Sequence, residues 1–274
     1  MSQTQLDQTE QDARNAFLSV RNLCVTFEDT GKRGGKVQAV KDVSFNVKEG
    51  EILSIAGESG SGKTTVARTI AALLPPTSGS VIYRGLDITK KKKKELKDYR
   101  REVQMIFQDP YESLNPRWDV STTIGTHIRY LTKEKDKKAI QDRIDQLLKE
   151  VGLKPDLVRH RLPHMLSGGE RQRVNIARAL SSNPKMLLGD EPITMLDASQ
   201  RLSILRLLMK LKQERNLTIL LITHDLASAK VASDRTIIMF KGEIVESGPT
   251  EVVLQNPSHD YTKLILNSMP EMPT

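Results

Sequence analysis

Gly57-Glu58-Ser59-Gly60-Ser61-Gly62-Lys63-Thr64-Thr65 is the stretch on which the reading of this chain turns. It fits G-x-x-x-x-G-K-[ST], the phosphate-binding loop. Ahead of it, residues 51–56 (Glu-Ile-Leu-Ser-Ile-Ala) read as a short buried strand. Behind it, Val66, Ala67, Ile70, Ala71 and Leu74 recur at helical spacing. Strand, glycine loop and helix are the context the motif requires. Gly57, Gly60 and Gly62 let the backbone turn tightly and aim several N–H groups inward. The helix adds the positive end of its dipole at the same point. Lys63 is expected to reach the β- and γ-phosphates of a nucleotide, and the Thr64 hydroxyl to ligate Mg2+.

A length of 274 residues allows one large domain, or one domain with an inserted subdomain. The hydrophobic content of 38% is enough for a core, and the net charge of +8 suggests an anionic partner. Much of that excess sits in the lysine run at 90–94, read as a solvated approach to a helix, with contact to lipid head groups as the alternative. The single cysteine, Cys24, excludes internal disulfides and reads as a small core residue. Residues 1–15 are polar, expected to be disordered, and show no secretory signal. No apolar run approaches the ~20 residues of a membrane-spanning helix. With 4% aromatics and no stacking clusters around Trp118, nucleic acid is not expected as a partner.

Two β-rich segments, 17–27 and 37–47, precede the loop and suggest an antiparallel layer beside the nucleotide fold. Beyond the first helix come a strand at 80–83, a turn at Arg84-Gly85, a basic helix or its approach at 90–101, and a strand at 103–107. Residues 108–116 form an irregular loop. The pattern is helical from 120 to 152, then again from Ser167, and from 198 to 215 with Leu202, Leu205, Leu208 and Leu211 on one side. Strands at 186–188 and 217–223 alternate with these helices, and a hairpin around Lys241-Gly242 and two short helices, 250–254 and 261–267, close the chain. Repeated strand–helix units imply a mainly parallel sheet with helices on both faces.

An apolar strand running into Asp190-Glu191-Pro192 is the second nucleotide signal. Asp190 can hold Mg2+ through water, and Glu191 is placed to polarise a water attacking the γ-phosphate. Leu166-Ser167-Gly168-Gly169-Glu170, followed by Arg171-Gln172-Arg173, is the third: a serine and two glycines at a helix start make a second anion-binding surface. His127, His160, His164 and His259 lack metal-ligand spacing and read as surface or capping residues.

Ser-Gly-Gly-Glu followed by Arg-Gln-Arg, about a hundred residues after the phosphate loop and before Asp-Glu-Pro, resembles the signature of ABC ATPases. Over roughly residues 17 to 267, six motifs keep the family's order and spacing. The resemblance implies a P-loop NTPase of the ABC ATPase fold: a mainly parallel sheet core, an antiparallel β-subdomain, and an α-helical subdomain inserted at about 112–180. One domain would span 16–267, with a tail at 268–274. Gln108 matches the glutamine that senses Mg2+ and the γ-phosphate, Asp197 the D-loop, and His224 the switch histidine. Phe27 matches the aromatic stacked on adenine. Ser167, Gly168, Gly169 and Glu170 would close in trans over ATP held by a second nucleotide-binding subunit.

Phe107 to Arg117, and the tail Asn256-Pro257-Ser258-His259-Asp260-Tyr261-Thr262, look like the dipeptide, oligopeptide and nickel importer branch. There, two ATPase subunits pair beneath two transmembrane permease subunits, on the cytoplasmic face of the membrane, served by an extracytoplasmic substrate-binding protein. The shortage of cysteine argues against the C-terminal iron–sulfur cluster that some members carry. Thr64 replaces the commoner serine, Phe27 the commoner tyrosine, and Thr194-Met195-Leu196-Asp197 the usual Ser-Ala-Leu-Asp. No catalytic group is lost. The expected activity is ATP hydrolysis energising peptide import; nickel, metallophore or oligosaccharide cargo and a non-transport ABC ATPase are the alternatives.

Overall fold

The computed structural model describes residues 16–29, 35–92, 94–109 and 113–267. The polar tail at 1–15, the tail at 268–274, most of the glycine loop before the second strand, Lys93 and Pro110-Tyr111-Glu112 lie outside the described residues. The described residues fall into two compact units: one takes those up to 97 and from 220 onward, the other those within 98–219.

The first unit opens with β1 (Leu18–Asp29) and β2 (Gly35–Val47), paired antiparallel with Phe27 opposite Val37. In β1 the buried positions step from Leu18 and Val20 to Leu23 and Val25, a jump of three. A bulge at Asn22, whose φ is 45°, absorbs the extra residue and returns the apolar side chains to one face. Cys24, one step out of that phase, is half-buried rather than in the core, and its sulfur accepts the Asp42 N–H at 3.3 Å. Then β3 (Ile52–Ala56), fully buried, delivers the chain to the glycine loop and α1 (Lys63–Ile70). This helix ends four residues short of Leu74, because Ala72 turns left-handed (φ 53°) and the N–H groups of Leu73 and Leu74 return to the Arg68 carbonyl. Past Pro75-Pro76, β4 (Ser78–Tyr83) and β5 (Leu86–Asp87) form a hairpin. Its two-residue turn, Arg84-Gly85, has φ values of 46° and 79°, the primed turn that matches strand twist. The sheet order β2-β1-β4-β5 is the expected antiparallel layer.

At 90–92 the lysine run is not helical; α2 starts only at Lys97 and ends at Glu102. In the second unit β6 (Val103–Ile106) is followed by α3 (Val120–Thr132) and α4 (Lys137–Glu150). The expected continuous helical pattern is therefore two helices. Lys133 turns left-handed (φ 61°) and caps the first, and Asp136 caps the second by accepting the Lys138 N–H at 2.9 Å. A short α5 (Pro155–Val158) and a 3-10 turn (Pro163–Met165) lead into α6 (Gly168–Leu180). Beyond it, β7 (Met186–Asp190) pairs parallel with β6, and α7 (Ala198–Arg215) follows. On α7 the buried stripe is Ile204, Leu205, Leu207, Leu208 and Leu211, and Leu202 lies at its edge, 37% exposed, not with the buried leucines as expected.

Across the division runs β8 (Thr218–Thr223), and the first unit resumes with α8 (Leu226–Ala232), β9 (Arg235–Phe240), β10 (Glu243–Pro249), α9 (Thr250–Gln255) and α10 (Asp260–Asn267). Parallel pairing joins β9 to β3, and β10 returns antiparallel through Lys241-Gly242, whose φ values are 48° and 88°. Ala56, Leu226, Ile238, Val253 and Tyr261 form one buried cluster under the C-terminal helices.

Candidate nucleotide-binding site

The glycine loop is shaped by close backbone packing. A Cβ on Gly57 would lie 2.1 Å from the Met239 carbonyl oxygen, and one on Gly62 2.4 Å from that of Ala39. Only hydrogen fits at either place. Gly60, with φ 81°, faces open space. The β9–β10 turn staples the loop: Gly242 N–H donates to the Ser61 carbonyl at 3.1 Å, and Lys41 N–H donates to the Gly242 carbonyl at 2.8 Å. Lys63 is buried, and its ammonium donates to the carbonyls of Gly57 (2.8 Å) and Glu58 (2.6 Å) and to the Ser61 hydroxyl (3.3 Å). Glu58, Ser59 and Gly60 are exposed, and Thr64 and Thr65 half-buried. No side chain caps α1; its N-cap is the left-handed Gly62. The first-turn N–H groups and a lysine thus converge on an open-sided loop, a donor set suited to an anion.

In the same unit Phe27 is 41% exposed on β1, leaving a ring face available for stacking. His224 is exposed just beyond the buried end of β8. Its neighbours are fixed: Asp225 donates its N–H to the Thr223 hydroxyl at 2.9 Å and caps α8 by accepting the Ala227 N–H at 2.9 Å.

The second unit brings Gln108 and Glu191 together. The Gln108 amide nitrogen donates to a Glu191 carboxylate oxygen at 3.3 Å, and the Thr194 hydroxyl donates to the same oxygen at 2.9 Å. Glu191 itself holds φ 47°, a left-handed conformation uncommon outside glycine and asparagine, directly after the fully buried Asp190. Asp197 caps α7, accepting from Gln200 N–H at 2.9 Å and the Ser199 hydroxyl at 2.7 Å; these bonds hold its carboxyl below the usual range. Ser167 and Glu170 form a reciprocal capping box on α6, with Ser167 Oγ accepting from Glu170 N–H (3.2 Å) and Glu170 Oε2 from Ser167 N–H (2.8 Å). A Cβ on Gly169 would meet the Gln200 side chain at 3.0 Å, so the start of α6 packs closely on α7.

The ABC transporter family profile matches residues 40–194, from β2 through the strand that ends at Asp190. The chain belongs to the ABC transporter ATPase family. This ABC ATPase is 43% identical over 237 residues to the oligopeptide transport ATP-binding protein OppF of Bacillus subtilis, a match covering 86% of this chain and 77% of that protein. It is 43% identical over 261 residues to OppF of Streptococcus mutans (94% and 83% covered), and 42% identical over 255 residues to the dipeptide transport ATP-binding protein DppF of Lactococcus lactis (92% and 81%). Among solved structures, the dimeric post-hydrolysis state of the ATP-binding cassette MJ0796, bound to ADP and Pi, superposes with a TM-score of 0.77 at 31% identity, covering 85% of this chain and 98% of that one. The fold is therefore the ABC cassette, and the chain binds and hydrolyses ATP.

Sequence reasoning missed three contacts in the ABC ATPase. The sequence marks Thr194 only as a departure from the D-loop pattern, yet its hydroxyl donates to the Glu191 carboxylate. The sequence marks Lys241-Gly242 as a hairpin turn; in the structure it also clamps the phosphate loop. His127, expected at the surface or as a cap, is half-buried, with Nδ1 2.7 Å from the Ser181 hydroxyl at the C-cap of α6. Burial, with the Arg178 charge adding to it, pulls this imidazole down from 6.5 to about 4. The partners of the Lys241-Gly242 turn and of His127 lie far along the chain, where no local pattern announces them; Thr194 lies three residues from Glu191, but nothing in the sequence marks that its hydroxyl turns to the carboxylate.

Proposed function

We propose that this ABC ATPase is the nucleotide-binding subunit of an importer for dipeptides or oligopeptides, acting at the cytoplasmic face of the cell membrane beneath two transmembrane permeases. The observation that supports it is the near full-length similarity to oligopeptide and dipeptide transport ATP-binding proteins. A second nucleotide-binding subunit and an extracytoplasmic substrate-binding protein complete the assembly. Among the described residues no helix is long and apolar enough to cross a membrane, which fits a subunit that reaches the bilayer through partners.

In this reading residues 57–65 bind the phosphates: Lys63 exchanges its loop carbonyls for phosphate oxygens, and the first-turn N–H groups of α1 supply further donors. Phe27 stacks on adenine. Thr64, Gln108 and Asp190 are the residues that would hold Mg2+; hydroxyl, amide and carboxylate oxygens are the hard donors this ion takes. When bound, Mg2+ neutralises phosphate charge. Glu191, oriented by Thr194 and Gln108, takes the proton of the attacking water, and His224 supports that step. Ser167, Gly168, Gly169 and Glu170 act on nucleotide held by the partner subunit, with Asp197 shaping the same interface. The test is co-expression with candidate permeases: wild type should co-purify and hydrolyse ATP, and Lys63→Ala should co-purify but bind ATP at least tenfold more weakly. Failure to associate with any peptide permease would count against the importer reading.

A further inference from the structure

The C-terminal stretch Asn256-Pro257-Ser258-His259-Asp260-Tyr261-Thr262 has no part in the chemistry described so far, yet it reaches the phosphate loop. Tyr261, only 8% exposed, accepts the backbone N–H of Glu58 on its phenol oxygen at 2.9 Å, across 203 residues of sequence. The carbonyl of the same peptide, that of Gly57, receives the Lys63 ammonium at 2.8 Å. The Gly57–Glu58 peptide is thus held at both of its polar groups. We propose that Tyr261 is a positioning residue for the phosphate-binding loop, its hydroxyl setting the first peptide of the loop in the conformation that receives the nucleotide.

The surroundings make the contact a rigid one. The Tyr261 ring stacks on Phe240, centroids 4.1 Å apart and planes 27° apart. Phe240 follows Met239, whose carbonyl packs on Gly57 closely enough to exclude a Cβ. One strand therefore backs both the glycine and the tyrosine that pins its peptide. The segment is latched ahead of Tyr261 as well. Glu246 accepts from Ser258 N–H (2.8 Å), the Ser258 hydroxyl (3.0 Å) and His259 N–H (3.2 Å), and His259 Nδ1 accepts the Tyr261 N–H at 3.1 Å. Burial alone would raise the Glu246 carboxyl; the hydrogen bonds from Ser258 and His259 oppose it, and the carboxyl is held below the usual range, so the latch is ionised at neutral pH.

A loop with left-handed glycines at 57, 60 and 62 has many conformations open to it. Fixing one of them before the nucleotide arrives removes an ordering cost from binding, so the hydroxyl should appear in ATP affinity and not in the chemical step. The inference rests on the reading of residues 57–65 as the ATP site, and the experiment separates the two. In the full-length chain, Tyr261→Phe keeps the ring and deletes the hydroxyl. ATP affinity, read by competition against a fluorescent ATP analogue, should weaken about three- to tenfold, the worth of one hydrogen bond. Turnover at saturating ATP should change less than about twofold, the thermal midpoint should stay near wild type, and hydrogen exchange should speed up at 57–62 but not in β3. Glu246→Gln, which loosens the latch with the hydroxyl intact, should raise KM in the same direction while kcat is kept. Wild-type affinity and loop exchange in Tyr261→Phe would overturn the inference, as would an affinity loss seen only together with a fall in thermal midpoint. Lys63→Ala is the control: if it also binds ATP normally, the site reading fails; if it alone loses ATP, only the role of Tyr261 fails.

Discussion

Glu191 carries the heaviest demand on any single residue. Its left-handed backbone and the two donors on one carboxylate oxygen fix where the other oxygen points. A positioned base contributes on the order of 10²–10⁴ in rate. Glu191→Gln should therefore keep ATP affinity within about twofold and lose at least a hundredfold in turnover; equal turnover in mutant and wild type would remove the assignment. His127 gives a pH signature at the same scale. Its imidazole is held at about 4 when folded, against an ordinary 6.5. Between those values the unfolded chain takes a proton that the folded chain refuses, so stability is full above pH 6.5 and falls as the pH drops toward 4. With about 1.4 kcal/mol per pH unit and a partly exposed ring, the loss is on the order of 2 kcal/mol. His127→Gln should flatten the thermal midpoint between pH 7 and 4.5; an unchanged slope would contradict the burial argument. Gly57, Asp190 and Ser167 were legible in the sequence because each answers a local demand: a positive φ, a strand end, a helix cap. His127 and Tyr261 were not, because their partners are set by tertiary packing that no spacing encodes; Thr194, three residues from Glu191, was not because spacing alone does not show which way its hydroxyl turns.

At the scale of elements, α6 shows how a helix end can serve two purposes. Ser167 caps it within the subunit and is also proposed to meet nucleotide held by the partner. The two roles can be separated. Ser167→Ala loses the cap, a cost of about 1 kcal/mol, and the proposed contact. Ser167→Asp keeps a capping oxygen and places a negative charge toward phosphate. Stability by thermal denaturation should fall for alanine and stay within about 0.5 kcal/mol of wild type for aspartate, while ATP hydrolysis by the assembled pair should fall in both. An aspartate variant as active as wild type would confine Ser167 to capping. Element types followed closely from periodicity, as in α7, whose bounds match the expected 198–215. Their breaks followed less well. Lys133 splits the long helical pattern and Ala72 ends α1 early, both by left-handed residues that carry no glycine to mark them.

At the scale of the whole molecule, this is a basic chain of net charge +8 with an ATPase cassette and no membrane-spanning helix among its described residues, and in the proposed importer its work is delivered through other subunits. Fold and nucleotide chemistry could be read from the sequence because the phosphate loop, the acidic strand end and the Ser-Gly-Gly helix start each have a physical requirement of their own. Cargo could not, because no motif in this chain carries a chemistry of its own for a peptide. The most direct measurement reconstitutes the chain in liposomes with the proposed partners, a second ATPase subunit, peptide permeases and a binding protein, and follows ATP hydrolysis as peptide is added. Peptide should raise the rate several-fold, and Glu191→Gln should abolish the response; hydrolysis that ignores peptide while answering to another solute would contradict the peptide-importer account.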